Sequence, residues 1–305
     1  MKLDDLEKIK FTDNSRLNFD HDLSKLNWFN IGGKTKIFLF ANSLKDLSIF
    51  LKKYNNRGKI FILGAGSNTL FDDEIYQGAI IKLGKNFNNI SKLKDNLIVS
   101  GSSCLDKRLS EFAMENNIEG FEFLSCIPGS VGGGIRMNAG CYGREFKDII
   151  ISVQALNFEG KVLTIPSSEI NFKYRSTNLP KDLIYLSGTF KGTISKKDKI
   201  EKKINQLKNI KEISQPFRVK TGGSTFKNPV DQTNKKVWEL IKESIDINQA
   251  NKMFGDAMLS EKHCNFLINK EKASSKDMKN LINFVKENVY KKTGVNLELE
   301  IILTS

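Results

Sequence analysis

Two glycine-rich clusters, about sixty residues apart, constrain this chain more than any other feature of its sequence. The first, Gly64-Ala65-Gly66-Ser67-Asn68, follows an apolar run, Lys59 to Leu63, that predicts a buried strand. The second lies between Leu124 and Gly143, where six of twenty residues are glycine. Glycine lets main chain lie against a ligand, and amides in such turns bind phosphate oxygens. Together the clusters predict a site for a long ligand with a diphosphate and a flat ring.

The first cluster begins like the dinucleotide fingerprint of a doubly wound sheet but departs from it. Thr69 stands where the third glycine should be, and no acidic residue follows at the right distance after a clean helix. A plain turn is the alternative interpretation of this cluster when it is read alone. We interpret it as a phosphate-binding turn without assigning the doubly wound fold.

The second cluster, Ile127-Pro128-Gly129-Ser130-Val131-Gly132-Gly133-Gly134, leads into Arg136-Met137-Asn138-Ala139-Gly140-Cys141-Tyr142-Gly143. This stretch has too many glycines to predict a regular element. It is also too apolar, at Ile127, Val131 and Ile135, for an exposed linker. We therefore expect a packed, functional loop system; the alternative is a glycine-rich loop without a ligand.

Helical and strand-like periodicities alternate along the rest of the chain without a repeat. The predicted helices are 44–54, 105–116, 196–211, 235–245 and 276–292, and the predicted strands are 59–63, 79–83, 97–100, a hairpin 152–158 with 161–165, 183–190 and 295–303. Ser274 with Asp277 fits a capping box before the last helix, and Gly294 fits the position after it. The pattern predicts a mixed α and β protein with a domain boundary near residue 200.

The formal charge of +13 and the pI of about 9.4 raise the question of a polyanionic partner. Lysines are spread along the whole chain, a pattern that AT-rich coding alone can produce. The densest stretch, 196–211, carries apolar residues at helical spacing and predicts an amphipathic helix with a solvated lysine face. Nucleic-acid binding remains the remote alternative, which strongly salt-dependent binding to DNA would support.

The cysteine and histidine content predicts no metal site. Cys104, Cys126, Cys141 and Cys264 include no close pair, and only two histidines are present. The first nineteen residues lack the apolar core of a signal peptide, and no later segment approaches a membrane-spanning run. We expect an organic cofactor, no membrane partner and a cytoplasmic location.

In this order, the motifs of the chain resemble those of the UDP-N-acetylenolpyruvoylglucosamine reductase family, and the resemblance covers nearly the whole chain. The residues that carry it are Phe29-Asn30-Ile31-Gly32-Gly33, Gly64-Ala65-Gly66-Ser67-Asn68, Ile127-Pro128-Gly129-Ser130-Val131-Gly132-Gly133, Asn138-Ala139-Gly140, Tyr142-Gly143, Tyr174-Arg175, Gly223-Ser224-Thr225-Phe226-Lys227-Asn228-Pro229 and Leu297-Glu298-Leu299-Glu300. Trp28 and Thr177 depart from the pattern, at positions where threonine and serine are common.

The resemblance implies an α+β fold with two FAD-binding subdomains of the vanillyl-alcohol oxidase type and a C-terminal α+β substrate-binding domain. We expect these parts at residues 1–84, 85–199 and 200–305. Only a short connection, 176–181, separates Tyr174-Arg175 from the predicted strand at Leu183. This resembles the subgroup that lacks a long tyrosine-bearing loop over the substrate.

The resemblance also implies the cofactors and the reaction. FAD would be bound without a covalent link, NADPH would donate hydride, and the small-molecule substrate would be a UDP-sugar, UDP-N-acetylglucosamine enolpyruvate. Its reduction to UDP-N-acetylmuramate is a step of peptidoglycan precursor synthesis, and we expect a monomer. The implied cofactor-binding residues are Gly64, Ala65, Gly66, Ser67, Asn68, Pro128, Gly129, Ser130, Gly132, Gly133, Asn138, Ala139, Gly140 and Gly143.

Three residues suit the chemistry that the resemblance implies. Hydride addition to the enolpyruvyl group leaves charge that spreads into the carboxylate, and a proton must then be delivered. Arg175 would bind that carboxylate, Glu300 would help to polarise it, and Ser224 would be the general acid. Glu298 would face the same side of a strand as Glu300, but Glu300 matches the family's glutamate-then-aliphatic ending.

Two of these three residues also have an ordinary structural interpretation. By sequence alone, Ser224 would be a turn serine and Arg175 a surface ion-pair partner. The implied substrate contacts are Tyr174, Lys227, Asn228 and His263. The rival enzymatic hypothesis is another FAD-dependent oxidase or dehydrogenase of the same flavin-binding fold, against which the motif around Ser224 and the one around Glu300 argue.

Overall fold

A computed structural model describes residues 4–55 and 57–304 of the 305-residue chain. In chain order, the α-helices α1–α8 within these ranges are Asp4–Glu7, Leu44–Tyr54, Asp106–Glu115, Val131–Met137, Lys197–Ser214, Val237–Ser244, Ile247–Ala250 and Ser275–Thr293. The strands β1–β19 within them are Arg16–Asp22, Lys34–Ala41, Ile60–Leu63, Thr69–Phe71, Tyr76–Leu83, Ile90–Lys94, Leu97–Gly101, Ile118–Glu119, Gly140–Cys141, Arg144–Glu145, Ile150–Asn157, Val162–Pro166, Phe172–Lys173, Ser176–Thr177, Leu183–Lys191, Thr193–Ile194, Ala257–Leu259, Leu267–Asn269 and Ile302–Thr304.

The chain divides into two compact units. The first contains the described residues up to Phe19 together with Ile37–Ala65 and Gln77–Lys211. The second contains Asp20–Lys36, Gly66–Tyr76 and the described residues from Glu212 onward. The three-part division at residues 84 and 199 stays a prediction.

A four-stranded sheet with the order β1-β2-β5-β3 underlies the first glycine cluster. β3 and β5 are parallel, and Leu63 lies opposite Lys82. α2 covers this core with Leu47, Phe50 and Tyr54, which are fully buried. Because β3 ends at Leu63, the turn at Gly64 lies at the carboxyl end of the parallel pair, where ligand-binding turns commonly occur.

The rest of the first unit is built on a five-stranded antiparallel sheet with the order β12-β11-β15-β7-β6. The predicted hairpin is confirmed, because β11 pairs with β12 from Ser152 opposite Pro166 to Leu156 opposite Val162. Side chains alternate between its faces: Ala155 belongs to one hydrophobic core and Leu156 to the other. The sheet is therefore buried on both faces.

The glycine-rich stretch contains a regular helix, so the prediction of an irregular loop system is wrong for residues 131–137. α4 buries Val131 and Ile135, which are one helical turn apart. A Cβ on Gly134 would lie 2.2 Å from the ring of Phe146. Close packing of this helix against Phe146 requires glycine there, and that packing offsets glycine's low helix propensity.

One core fills the second unit, where α6 and α8 pack with the hairpin β17-β18. The predicted N-terminal and C-terminal caps of α8 are confirmed: Ser274 and Asp277 form a capping box, and Gly294 adopts a left-handed conformation. Within the described ranges, no helix combines the length and the apolar character needed to cross a membrane.

The predicted strand at 295–303 is wrong except at its end. Only β19, Ile302–Thr304, forms a ladder, which is parallel to β4. The preceding residues bury Val295, Leu297 and Ile301 without continuous strand pairing, and Leu299 forms a single bridge with Phe226. The alternating apolar residues of this segment therefore indicate burial and not a β-strand.

Candidate active site

The two glycine clusters contact each other inside the first unit. Gly64 lies so close to Ser130 that a Cβ on Gly64 would be 2.6 Å from the Ser130 hydroxyl oxygen. Ser130 is buried, and it precedes the first residue of α4. Contact between residues this far apart in sequence supports the interpretation of the clusters as parts of one site.

The turn that starts at Gly64 presents unpaired backbone amides. The amides of Ala65, Gly66, Ser67 and Asn68 donate no hydrogen bond to any residue in the described part of the chain. Gly66 has φ +71°, and a Cβ there would lie 2.2 Å from the carbonyl oxygen of Leu26. Successive amides in such a turn form an anion-binding concavity, which fits the diphosphate of FAD.

The second cluster contributes close packing more than free amides. The amides of Val131 and Gly132 already donate to the carbonyls of Cys104 and Ser102, both at 2.8 Å. Gly129 packs on Asp106, whose carboxyl oxygen would be 2.6 Å from a Cβ at Gly129. The predicted FAD contact of Gly132 would therefore have to be made by its Cα or carbonyl.

Buried polar side chains pack near this cluster, with Asp106 beside Gly129 and Ser102 beside Gly132. The side-chain oxygens of Ser102, Asp106 and Ser110 make no hydrogen bond within the described residues. Burial raises the pKa of Asp106 well above its usual value, because removal from water disfavours the charged form. A neutral carboxyl is the form that can be buried here at moderate cost.

Asn138 has a structural role in the first unit. Its side-chain amide donates to Glu145 at 3.0 Å and to the carbonyl of Lys173 at 3.1 Å. Its side-chain oxygen accepts from the amide of Lys147 at 3.0 Å. These bonds occupy both the nitrogen and the oxygen of the side-chain amide. A contact of Asn138 with FAD stays a prediction.

Arg175 is held in a defined orientation in the first unit. Its backbone is left-handed, with φ +54°, and its Nη2 donates to the carbonyl of Gly140 at 2.8 Å. Its Nη1 lies 3.7 Å from a carboxylate oxygen of Glu145, and the guanidinium carbon lies 4.8 Å from the centre of the Tyr174 ring. The side chains of Arg175 and Glu145 are 16% and 19% exposed, so their attraction is only partly screened.

The sequence motifs did not identify Glu145. It lies thirty residues before Arg175, and no spacing rule links a short strand to a distant turn. The structure shows that Glu145 contacts Asn138, Lys147 and Arg175 at once. Glu145 therefore links Asn138 of the second glycine cluster to the predicted catalytic arginine.

In the second unit, backbone hydrogen bonds bring Glu300 next to the predicted general acid. The amide of Glu300 donates to the carbonyl of Thr225, the residue after Ser224, at 2.8 Å. The side-chain amide of Asn68 donates to the carbonyl of Glu300 at 3.0 Å. Ser224, Glu300 and Asn68 therefore lie together, although the chain separates them widely.

A second missed residue, Asn265, fixes the segment that carries Ser224. Ser224 forms a single bridge with Phe266 and follows Gly223, which has φ +80°. The buried Asn265 accepts from the amide of Phe226 at 3.0 Å and donates to its carbonyl at 2.9 Å. A side-chain amide that bonds to the backbone of a distant residue in this way produces no recognisable spacing in the sequence.

The two glutamates of the C-terminal motif differ in their surroundings. They do not share a regular strand, so the expectation based on strand alternation is wrong. The Glu298 side chain is 74% exposed, and its carboxylate lies 3.3 Å from Nζ of Lys227. Glu300 is half-buried. This contrast favours Glu300 over Glu298 for a role beside a charged substrate.

The remaining predicted substrate contacts also lie in the second unit. The side-chain oxygen of Asn228 accepts from the first amide of α6, that of Val237, at 3.1 Å, so Asn228 also caps this helix. The His263 ring lies edge-on to Phe266, with the ring centres 4.9 Å apart. Burial lowers the pKa of His263, which keeps the imidazole neutral at pH 7. Its Nδ1 is buried and has no partner among the described residues.

Two family models and several known proteins match this chain. A family model described as the C-terminal domain of UDP-N-acetylenolpyruvoylglucosamine reductase matches residues 215–304, and a model of an FAD binding domain matches residues 35–166. The UDP-N-acetylenolpyruvoylglucosamine reductase of Pelagibacter ubique is 55% identical, over 99% of each chain. The enzyme of that name from Rickettsia typhi is 46% identical, over 92% of this chain and 93% of its own.

The fold has a solved counterpart as well. The crystal structure of UDP-N-acetylenolpyruvylglucosamine reductase from Thermus caldophilus matches with a TM-score of 0.79 and 27% identity, over 96% of this chain and 99% of that one. These matches confirm the predicted α+β fold, with an FAD-binding part followed by a C-terminal part typical of these reductases. The chain belongs to the UDP-N-acetylenolpyruvoylglucosamine reductase family and is an FAD-containing oxidoreductase.

Proposed function

We propose that this chain reduces UDP-N-acetylglucosamine enolpyruvate to UDP-N-acetylmuramate, with NADPH as the hydride donor. The observation that carries the proposal is identity of 55% over 99% of the chain to a reductase of this name. The hydrogen bonds that join Glu300 to Asn68 and to Thr225, the residue after Ser224, support it. When bound, FAD supplies hydride transfer between NADPH and the enolpyruvyl group.

Arg175 binds the substrate carboxylate in this proposal. Its guanidinium offers a fixed fork of donors and a permanent charge, which suits a carboxylate that gains electron density. Gly140 and Glu145 hold two of its nitrogens, so little orientational entropy is lost when the substrate binds. The positive φ of Arg175 is a local strain that this network maintains.

Glu300 and Ser224 are the proposed catalytic residues of the second unit. Glu300 polarises the carboxylate, and the Asn68 and Thr225 contacts fix the backbone from which it extends. Ser224 delivers the proton to the carbon next to the carboxylate. A hydroxyl has a high pKa, so it donates efficiently only to a strongly basic carbon held beside it.

Tyr174, Lys227, Asn228 and His263 are the proposed substrate contacts. Lys227 is paired with the exposed Glu298, a weak contact that a diphosphate can replace. Asn228 directly follows Lys227 and keeps its capping bond to α6. Burial keeps His263 neutral, which suits a polar contact without a charge.

The proposal extends to cellular context. We propose a cytoplasmic monomer that takes part in peptidoglycan precursor synthesis and binds no nucleic acid. The domain division at residues 84 and 199 and the subgroup without the long tyrosine loop are part of the same proposal. The short connection of residues 176–182 between Arg175 and β15 supports that subgroup.

Product identification tests the reaction. The purified protein, NADPH and UDP-N-acetylglucosamine enolpyruvate are incubated together, and the UDP-sugar is analysed by mass spectrometry. We expect a product that has gained two hydrogen atoms, and no product from the unmodified UDP-sugar. Unchanged enolpyruvyl substrate, or oxygen-dependent oxidation of an alcohol or sugar instead, would favour the oxidase hypothesis.

A further inference from the structure

Lys82 is a partly buried lysine at the junction of the two glycine clusters. It lies on β5 opposite Leu63, and its Nζ donates to the carbonyl of Gly64 at 2.6 Å. Gly64 in turn packs against Ser130 of the second cluster. The ammonium group therefore touches the turn in which the clusters meet.

No acidic residue within the described ranges balances the charge of Lys82. Lys82 forms no ion pair with another residue of the described ranges, and the Gly64 carbonyl is its single acceptor there. An ammonium has three donors. Burial lowers the pKa of Lys82, which reflects the cost of removing this charge from water. A partly buried cation with one acceptor and no counter-ion is costly unless an anion joins it.

The adjoining turn is suited to the same anion. The Ala65 amide, one residue after the carbonyl that Lys82 contacts, has no acceptor among the described residues. A free amide and an ammonium group beside one turn create a positive potential, which attracts an anion. Neither group recognises a particular base or ring.

We propose that Lys82 binds the diphosphate of FAD and supplies the positive charge that balances it. The inference rests on the proposed assignment of the Gly64 turn to the diphosphate. The motifs of the sequence do not mark Lys82, because it lies on a neighbouring strand, eighteen residues after Gly64.

Binding of FAD to deflavinated protein tests this proposal without measuring turnover. Lys82→Met removes the charge and keeps the apolar stem, Lys82→Gln keeps a hydrogen-bond donor, and Lys82→Arg keeps the charge. Lys92→Met is the matched control, since it removes one charge from an exposed lysine of β6 in the same unit. The dissociation constant of FAD is measured by quenching of its fluorescence at several salt concentrations.

We expect Lys82→Met and Lys82→Gln to weaken FAD binding by about 10-fold to 100-fold, the range for a lost hydrogen bond to a charged group. Lys82→Arg should retain most of the affinity, and Lys92→Met should match the natural protein. The salt dependence of FAD binding should be smaller in the Met and Gln variants, because one attraction that salt screens has been removed.

Several results would overturn the proposal. Unchanged affinity in Lys82→Met, or full affinity in Lys82→Gln, would mean that no charge is needed and that the lysine only tethers Gly64. A salt dependence that is the same in these variants as in the natural protein would also mean that Lys82 supplies no charge to FAD. Absence of FAD binding by the natural protein would instead contradict the cofactor assignment, so the two failures are distinguishable.

Discussion

The amide of Glu300 donates to the carbonyl of Thr225 at 2.8 Å, and this bond joins the two backbone segments that carry the predicted catalytic residues of the second unit. Thr225 directly follows Ser224, so the backbone bond ties the proposed acid to the proposed polarising glutamate. Asn265 holds the next residue, Phe226, from the other side. The hydroxyl of Ser224 and the carboxyl of Glu300 therefore extend from backbone segments that hydrogen bonds hold in place.

Ser224→Ala should separate the two halves of the reaction. Reduction of the enzyme by NADPH forms no substrate carbanion, so its rate should be nearly unchanged. Reoxidation by the enolpyruvyl substrate should slow by about 10²-fold to 10⁴-fold, the usual range for a lost general acid. Ser224→Cys should recover part of the rate, because a thiol can donate from a similar position. Stopped-flow absorbance measures both halves, and equal slowing of the two would make Ser224 a structural residue.

Glu145→Gln should loosen Arg175 without removing it. We expect the substrate-dependent half-reaction to slow by about 10-fold to 100-fold, because a misplaced guanidinium stabilises charge poorly. Lys147→Met is the matched control. Lys147 contacts the same carboxylate at 2.8 Å, but its side chain is 48% exposed, so its loss should change the rate little. If the two variants behave alike, or if NADPH reduction slows equally, Glu145 does not position Arg175.

The order of the motifs predicted the family, but it could not predict the contacts that build the site. The glycine content around Val131 and Ile135 predicts an irregular loop, although these two residues have helical spacing. The stretch forms a helix because Gly134 packs closely against Phe146. Glu145, Asn265 and Lys82 were missed because each acts through a partner far away in sequence. The predicted strand at 295–303 failed because alternating burial does not require a ladder partner.

Asp106→Asn should stabilise the protein at neutral pH. Burial raises the folded pKa of Asp106, so the folded state keeps a proton that the unfolded state releases above about pH 4. Stability then falls as pH rises, until the pH passes the folded pKa. The variant lacks this loss, so its advantage should grow by about 1.4 kcal/mol per pH unit within that window. Urea unfolding at several pH values measures the difference.

Asp46→Asn is the control of opposite sign. Although burial raises the pKa of Asp46, hydrogen bonds from Thr12, Ser15 and Asp13 outweigh it and lower the pKa overall. Asp46 therefore stabilises the fold above about pH 4, and this contribution is lost as pH falls through the lowered pKa. The variant should be less stable at neutral pH, with a difference that shrinks in acid. If the advantage of Asp106→Asn does not change with pH, Asp106 is not a buried neutral acid.

The most direct test of the proposed function is an anaerobic titration of the purified protein followed by absorbance. We predict a yellow protein that releases FAD on denaturation and is bleached by NADPH. UDP-N-acetylglucosamine enolpyruvate should then restore the yellow form, whereas the unmodified UDP-sugar should leave it bleached, because only the vinyl ether accepts hydride. A protein that stays colourless after incubation with FAD, or a bleached form that the enolpyruvyl substrate does not reoxidise, would contradict the proposed function.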